Sequence, residues 1–160
     1  MSQADTGLIA LLEQAQKARD EVFSQVENAR RAHEQARQQL QSLHDFRQQY
    51  QDRWRQQFSQ GSGMEIMRSY QEFMNRMSEA EVEQARRVEM ALSSVERLRA
   101  VLIERERKVA AVTKLMERRA NEQSLKEQRR DQKATDEMAS RLHATNRSGP
   151  LSAMPASSSP

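Results

Sequence analysis

The chain contains no cysteine, so it can build neither a disulfide framework nor a thiolate nucleophile or thiolate metal site. A reducing compartment, the cytoplasm by default, is the expectation. Glycine occurs four times and proline three times in 160 residues, and all three prolines lie at or beyond Pro150. Aromatic residues make up 4% and hydrophobic residues only 36%, against 31% charged, which excludes a large apolar core. No run of about 18 uncharged apolar residues occurs, so a membrane-spanning helix is not expected. The first residues, Met1 to Ala15, lack the basic start and small-residue cleavage site of a signal peptide. Charge of one sign is also missing: 26 basic and 23 acidic residues leave a net +3, with a pI of 9.6. The two signs are interspersed along the whole length, which fits solvated helix surfaces laced with i,i+4 pairs and argues against a nucleic-acid stripe.

What is abundant is helix-forming polar sequence, with 21 Arg and 19 Gln. These residues suit helix surfaces, and a β-rich fold is not supported. Apolar residues recur at 3,4 spacing at Leu8, Leu12, Ala15, Val22, Val26, Ala29, Ala36, Leu40, Leu43, Tyr50 and Trp54. Only Arg19, His33 and Arg47 interrupt this seam, and no Pro or Gly falls between Leu8 and Phe58. That is a sustained coiled-coil heptad. It breaks at Ser59-Gln60-Gly61-Ser62-Gly63, where glycine can take the left-handed conformation that ends a helix. Ser62 and Glu65 then form a capping-box pattern. A second seam runs Met67, Tyr70, Met74, Met77, Val88, Ala91, Val95, Leu98, Leu102, Val109, Val112 and Met116. Glu81, Gln84, Arg105 and Arg119 interrupt it.

A turn this short returns the second helix antiparallel to the first, so facing positions should sum to about 122. Leu8 then lies near Lys114, and the second seam dies just beyond that level, where Gln123, Lys126, Arg130 and Lys133 replace apolar residues. One seam ends where its partner ends. The expected fold is therefore all-α: two long helices in an antiparallel coiled-coil hairpin of about 75 Å at ~1.5 Å per residue. Its expected bounds are helix one 8–58, turn 59–63 and helix two 64 to about 143, as a single domain over 1–145. Homodimerisation of two long helices is the second choice. Residues 117 to about 143 have helical composition without a regular apolar stripe, and are expected as a partly frayed helical overhang. Residues 146–160, with Ser, Ala and Pro predominating at the end, are expected as a disordered tail.

No catalytic constellation emerges. His33, His44 and His143 are scattered, and none has a second His at i+3 or i+4 to form a ligand pair. His33, on the first seam, is expected to help set the register of the helices. Gly61 and Gly63 match neither phosphate-loop nor dinucleotide spacing. An enzyme is not expected, nor a cofactor, a metal or a small-molecule substrate.

Six of the seven aromatics, Phe46, Tyr50, Trp54, Phe58, Tyr70 and Phe73, fall within residues 46 to 73, and the folded hairpin gathers them near its tip. Tyr50, Trp54 and Tyr70 are expected to widen the seam. Phe46 and Phe73 lie off the seams, in two stripes of 4,3,4 spacing: Gln39, Leu43, Phe46, Tyr50 and Phe73, Met77, Ala80, Gln84. These stripes are expected to turn outward, with Met64, Met67 and Met74 adding flexible apolar surface at the same end. An apolar surface on a charged rod is where a protein partner docks.

The pattern Leu43-x-x-Phe46-x-x-x-Tyr50 before the turn and Tyr70-x-x-Phe73-Met74-x-x-Met77-x-x-Ala80-x-x-x-Gln84-x-x-x-Val88 after it resembles the FliJ family of flagellar export proteins. The resemblance covers residues 5 to about 145. It implies a non-enzymatic stalk and adaptor of the flagellar type III export apparatus. Such a protein promotes assembly and activity of the hexameric export ATPase ring and links it to the membrane export gate. It implies a cytoplasmic protein peripherally associated with the inner membrane, and raises export chaperones as a further class of partner. For the export-gate contact the family's positions map onto Gln39, Leu43, Phe46, Tyr50, Phe73, Met77, Ala80 and Gln84. The ring-facing end maps to the paired termini, with Arg105, Arg107, Lys108, Arg118 and Arg119 as its basic contacts. Here Phe46 stands where Tyr is usual, Met77 where Leu is usual and Gln84 where His is usual. Docking through apolar contact survives these changes, whereas a hydrogen bond from position 46 or a titrating ring at 84 does not. Two other readings are open: the equivalent stalk of a virulence secretion system, and an Arg-rich nucleic-acid-associated coiled coil drawing on Arg118, Arg119, Arg129 and Arg130.

Overall fold

The computed structural model describes residues 2–61 and 63–149, and within them every regular element is helical. Helix α1 runs Gln3–Ser59 and α2 runs Met64–Arg147. The chain divides into two compact units, Met1–Thr113 and Lys114–Pro160.

Helix α1 starts five residues before the first seam residue, because Ser2 caps it. The Ser2 hydroxyl oxygen accepts from the Asp5 backbone N–H, and the Ser2 backbone N–H donates to Asp5 Oδ2 at 3.2 Å. This is a reciprocal capping box with Asp in place of Glu, and its carboxylate also sits favourably at the helix N-terminus. At the other end the Gln60 and Gly61 N–H groups donate to the carbonyls of Gln57 and Phe58. Gly61 takes a φ of +84°, the left-handed conformation expected of it. Helix α2 opens with the Met67 N–H donating to the Gly63 carbonyl at 3.3 Å. The Ser62 half of the expected capping box lies outside the described residues.

Within the first unit the helices are antiparallel. Ring pairs across them have residue numbers with a near-constant sum, from 119 for Phe46 with Phe73 to 128 for Phe58 with Tyr70. Every expected α1 seam position from Leu8 to Trp54 is buried or half-buried, and so is every α2 seam position from Tyr70 to Val112 except Arg105. The core is thin. Ala15, Val22, Val26, Met77, Val95 and Val112 are its buried apolar members, Glu81 and Gln84 are buried with them, and the other apolar seam residues keep one flank in water, as a two-helix seam requires. One seam expectation is corrected. Met67 is exposed, as is every residue from 63 to 69. Arg105 is exposed at the level of Arg19, whose guanidinium pairs with Asp20 at 3.0 Å. The outer faces carry i,i+3 and i,i+4 ion pairs, Glu27–Arg30, Glu34–Arg37, Glu83–Arg86, Glu83–Arg87 and Glu104–Arg107. Each is worth about 0.2–0.5 kcal/mol to its helix.

In the second unit the helix persists to Arg147 rather than ending near residue 143. Nothing stops it earlier, since no Gly or Pro falls between Gly63 and Gly149, and the Ser148 hydroxyl closes the last turn by donating to the Ala144 carbonyl at 2.6 Å. Asn146 and Arg147, expected in the tail, are therefore helical; residues 150–160 lie outside the described residues. From Glu117 to Gly149 every residue is exposed, consistent with the absence of an apolar stripe. No helix among the described residues is long and apolar enough to cross a membrane.

Candidate partner-docking site

The 3.6-residue period carries Phe46, Tyr50, Trp54 and Phe58 up one side of α1, each within reach of the next. The antiparallel return places Tyr70 and Phe73 of α2 against them. The rings form a continuous cluster. Tyr50 lies at its centre, 4.2 Å from Phe73, 5.9 Å from Trp54 and 6.3 Å from Tyr70. Trp54 in turn packs on Phe58 at 5.1 Å and Tyr70 at 5.2 Å, with Phe58 edge-on to Tyr70. Separations of this size are favourable ring geometry. Tyr50, Trp54 and Tyr70 are half-buried, so they do widen the seam.

Phe46 differs from them. Half of its surface is open to solvent, and its ring reaches the cluster only at the margin, 6.1 Å from Tyr50 and 6.4 Å from Phe73. Gln39 and Ala80 are also exposed, and Leu43 and Phe73 are half-buried. Phe46, Tyr50 and Phe73, drawn from both helices, thus make one apolar surface. Two other members of the expected stripes do not face out. Met77 is 8% exposed and Gln84 is 7% exposed, because both sit on the α2 seam itself. Gln84 Nε2 donates to the Ala36 carbonyl at 3.0 Å and to Gln39 Oε1 at 3.1 Å, so it holds Gln39 instead of presenting itself. Toward the turn, Met64 and Met67 are exposed and extend the apolar surface, whereas Met74 is half-buried.

Beside this surface lies a polar contact that sequence reasoning missed. Glu81 is buried, and its Oε2 accepts from Arg47 Nη1 at 2.9 Å. His44 Nδ1 stands 3.4 Å from Oε1, an oxygen that makes no hydrogen bond. A signal for the pair did exist. Arg47 and Glu81 are seam interruptions of opposite charge on opposite helices, and their numbers sum to 128, within two helical turns of the pairing rule. Of the remaining histidines, His33 is half-buried on its seam and His143 is exposed in the second unit.

The basic residues expected at the ring-facing end are all exposed. In the first unit Arg107 Nη1 donates to Glu104 Oε1 at 2.7 Å, with Arg105 and Lys108 on the same stretch of α2. In the second unit Arg118 and Arg119 are adjacent on exposed helix. Among the described residues no group of three or more His, Asp or Glu side chains is placed to hold a metal ion.

Comparison with known proteins decides the family. The chain matches the family model described as Flagellar FliJ protein over residues 5–148. The chain belongs to the FliJ family. No curated protein and no solved structure matches it. FliJ membership makes the chain a stalk-like, non-enzymatic component of flagellar type III export, in a family of cytoplasmic export proteins. The matched span takes in both helices and the turn between them.

Proposed function

We infer that this FliJ-family chain is a stalk and adaptor that promotes assembly and activity of the export ATPase ring and couples that ring to the membrane export gate. The observation that carries the reading is the aromatic surface of Phe46, Tyr50 and Phe73, built by two helices, with Phe46 half open and Tyr50 and Phe73 half-buried beside it. Aromatic anchors of this kind dominate binding energy where a partner excludes water from them. The gate partner docks here, with Leu43, Gln39 and Ala80 at the margin. Met77 and Gln84 contribute from beneath, one by packing and the other by holding Gln39. Arg105, Arg107, Lys108, Arg118 and Arg119 serve the ring through polar, adjustable pairs, which favour rate and specificity over raw affinity.

The test titrates purified flagellar export ATPase with the full chain and with a form truncated after Arg119, and measures binding of the full chain to the soluble part of the export gate. Stimulated hydrolysis at fewer than six chains per ring, lost on truncation, is the expected result. A chain that neither stimulates the ATPase nor binds the gate would sink the reading.

A further inference from the structure

Phe46 and Phe73 hold equivalent places on the two helices, each just before a seam position, and their rings meet at 6.4 Å with numbers that sum to 119. Seven-residue steps away from the turn follow the same edge of the seam at the same sum. Gln39 is then level with Ala80, Ala32 with Arg87, Gln25 with Ser94 and Ala18 with Val101. The Gln84 Nε2 hydrogen bonds to the Ala36 carbonyl and to Gln39 Oε1 agree with that alignment, with sums of 120 and 123. The helices stay in phase along the edge, because the seam positions beside it are buried or half-buried throughout, apart from Arg105.

Two properties set this edge apart. At each of the four levels one residue is small, and the small one alternates between the helices: Ala80, Ala32, Ser94, Ala18. The result is a zigzag of holes at heptad intervals, about 10 Å apart along the axis at ~1.5 Å per residue. The edge also holds no carboxylate, and its charges are Arg87 and, one step beyond Val101, Lys108. The opposite edge, whose residues fall just after seam positions, carries Arg30 and Arg37 on α1 and Arg99 and Glu106 on α2. Edge residues of a two-helix seam ordinarily pair their charges across it. Here the inter-helix ion pairs among the described residues both go to Glu81 on the seam, and Arg87 stands 3.7 Å from Glu83 of its own helix.

Resting on the docking reading for its partner, we propose that this edge is a groove for one helix of the export gate, which continues from the aromatic surface and packs as a third helix against the pair. The occupant is an amphipathic helix with large apolar side chains at seven-residue intervals, one for each hole, and a carboxylate where it passes Arg87. Small side chains let helix axes approach closely. Continuity with the Phe46 and Phe73 rings places the occupant on this edge and not the other, and an edge without carboxylates leaves an acidic partner residue unopposed. A second copy of this chain fits poorly: its exposed stretch 117–149 has no two large apolar residues seven apart.

The experiment adds bulk at two holes, Ala32→Arg/Ser94→Arg, and at two exposed positions off the edge as control, Gln38→Arg/Ser93→Arg. Calorimetric affinity for the soluble export-gate part and circular-dichroism melts are measured for both and for Phe46→Glu. The filled-hole form is expected to bind about tenfold more weakly, a factor equal to 1.4 kcal/mol, with the control unchanged and both forms folded. Because the chain has no cysteine, Ala32→Cys and Ser94→Cys can each carry a single photocrosslinker. Their capture points are expected about seven residues apart on one gate segment, as adjacent holes require. Wild-type affinity in the filled-hole form, while Phe46→Glu binds more weakly, overturns the groove and leaves the docking reading standing. Capture that is absent, spread over several gate segments or directed to a second copy of this chain overturns the groove too. If the filled-hole form unfolds, the capture points decide alone. A wild-type chain that does not bind the gate overturns both readings.

Discussion

Phe46→Glu separates docking from folding better than any other change in the aromatic surface. Burying a whole Phe side chain is worth about 1.5–3 kcal/mol, and Phe46 keeps half of its surface in water, so roughly 1 kcal/mol of folding stability is at stake. Its two ring contacts, at 6.1 and 6.4 Å, sit at the far edge of useful aromatic geometry and add little. The expected change in unfolding midpoint is a fall of about 4 °C, with the helical signal at 20 °C unchanged. If the half left open is what the export gate covers, inserting a carboxylate there costs about 2 kcal/mol or more of binding, a loss of roughly thirtyfold in affinity. The assay is calorimetric titration of the soluble gate part into each variant, alongside a circular-dichroism melt. Phe23→Glu provides the control, because Phe23 is 55% exposed but lies outside the ring cluster. Equal losses of affinity in the two variants would refute the reasoning, since any exposed Phe would then serve.

Phe73→Glu should reduce both quantities: its half-buried ring stacks 4.2 Å from Tyr50, so a melt lower by the equivalent of about 2 kcal/mol should accompany lost gate binding. Retained helicity at low temperature is required, and collapse of the far-UV signal would show the ring to be structural first. Gly61→Ala should cost about 1–2 kcal/mol by denaturant melt, because φ is +84° and nothing lies within 4 Å of the added Cβ, so the penalty is purely backbone. Gly63→Ala, equally unobstructed and without a positive φ, should stay within about 0.5 kcal/mol of wild type, and a larger loss there would mean the turn is held by something other than dihedral preference.

Much of the architecture is legible from spacing. An uninterrupted 3,4 pattern can be satisfied only by a helix that finds a facing stripe, and a turn of a few residues leaves only the antiparallel partner. The positions from Leu8 to Trp54 and from Tyr70 to Val112 are accordingly at the interface, apart from Arg105. The glycine at 61 carries its own conformational argument, and the aromatic residues mark the tip because the chain reverses between them. Helix ends were less legible. Ser2 with Asp5 extends α1 beyond its apolar pattern, and the lack of any breaker before Gly149 carries α2 to Arg147, so capping and breaking chemistry overrides the periodicity.

The sequence by itself determined that this protein is a two-helix seam with an aromatic tip, because periodicity and turn chemistry are local properties that no distant contact has to supply. Only the tertiary structure decided which members of the two stripes are presented. Phe46 is left open while Met77 and Gln84 turn inward, since a 3.6-residue helix drifts about 20° per heptad against a 3.5-residue pattern, and a stripe at the seam's edge is resolved only by what packs beside it. The Arg47–Glu81 bond belongs to the same class. Two interruptions thirty-four residues apart become one contact only when the helices are set side by side, because the reach of a guanidinium across a seam depends on register and side-chain length, and spacing along one helix encodes neither.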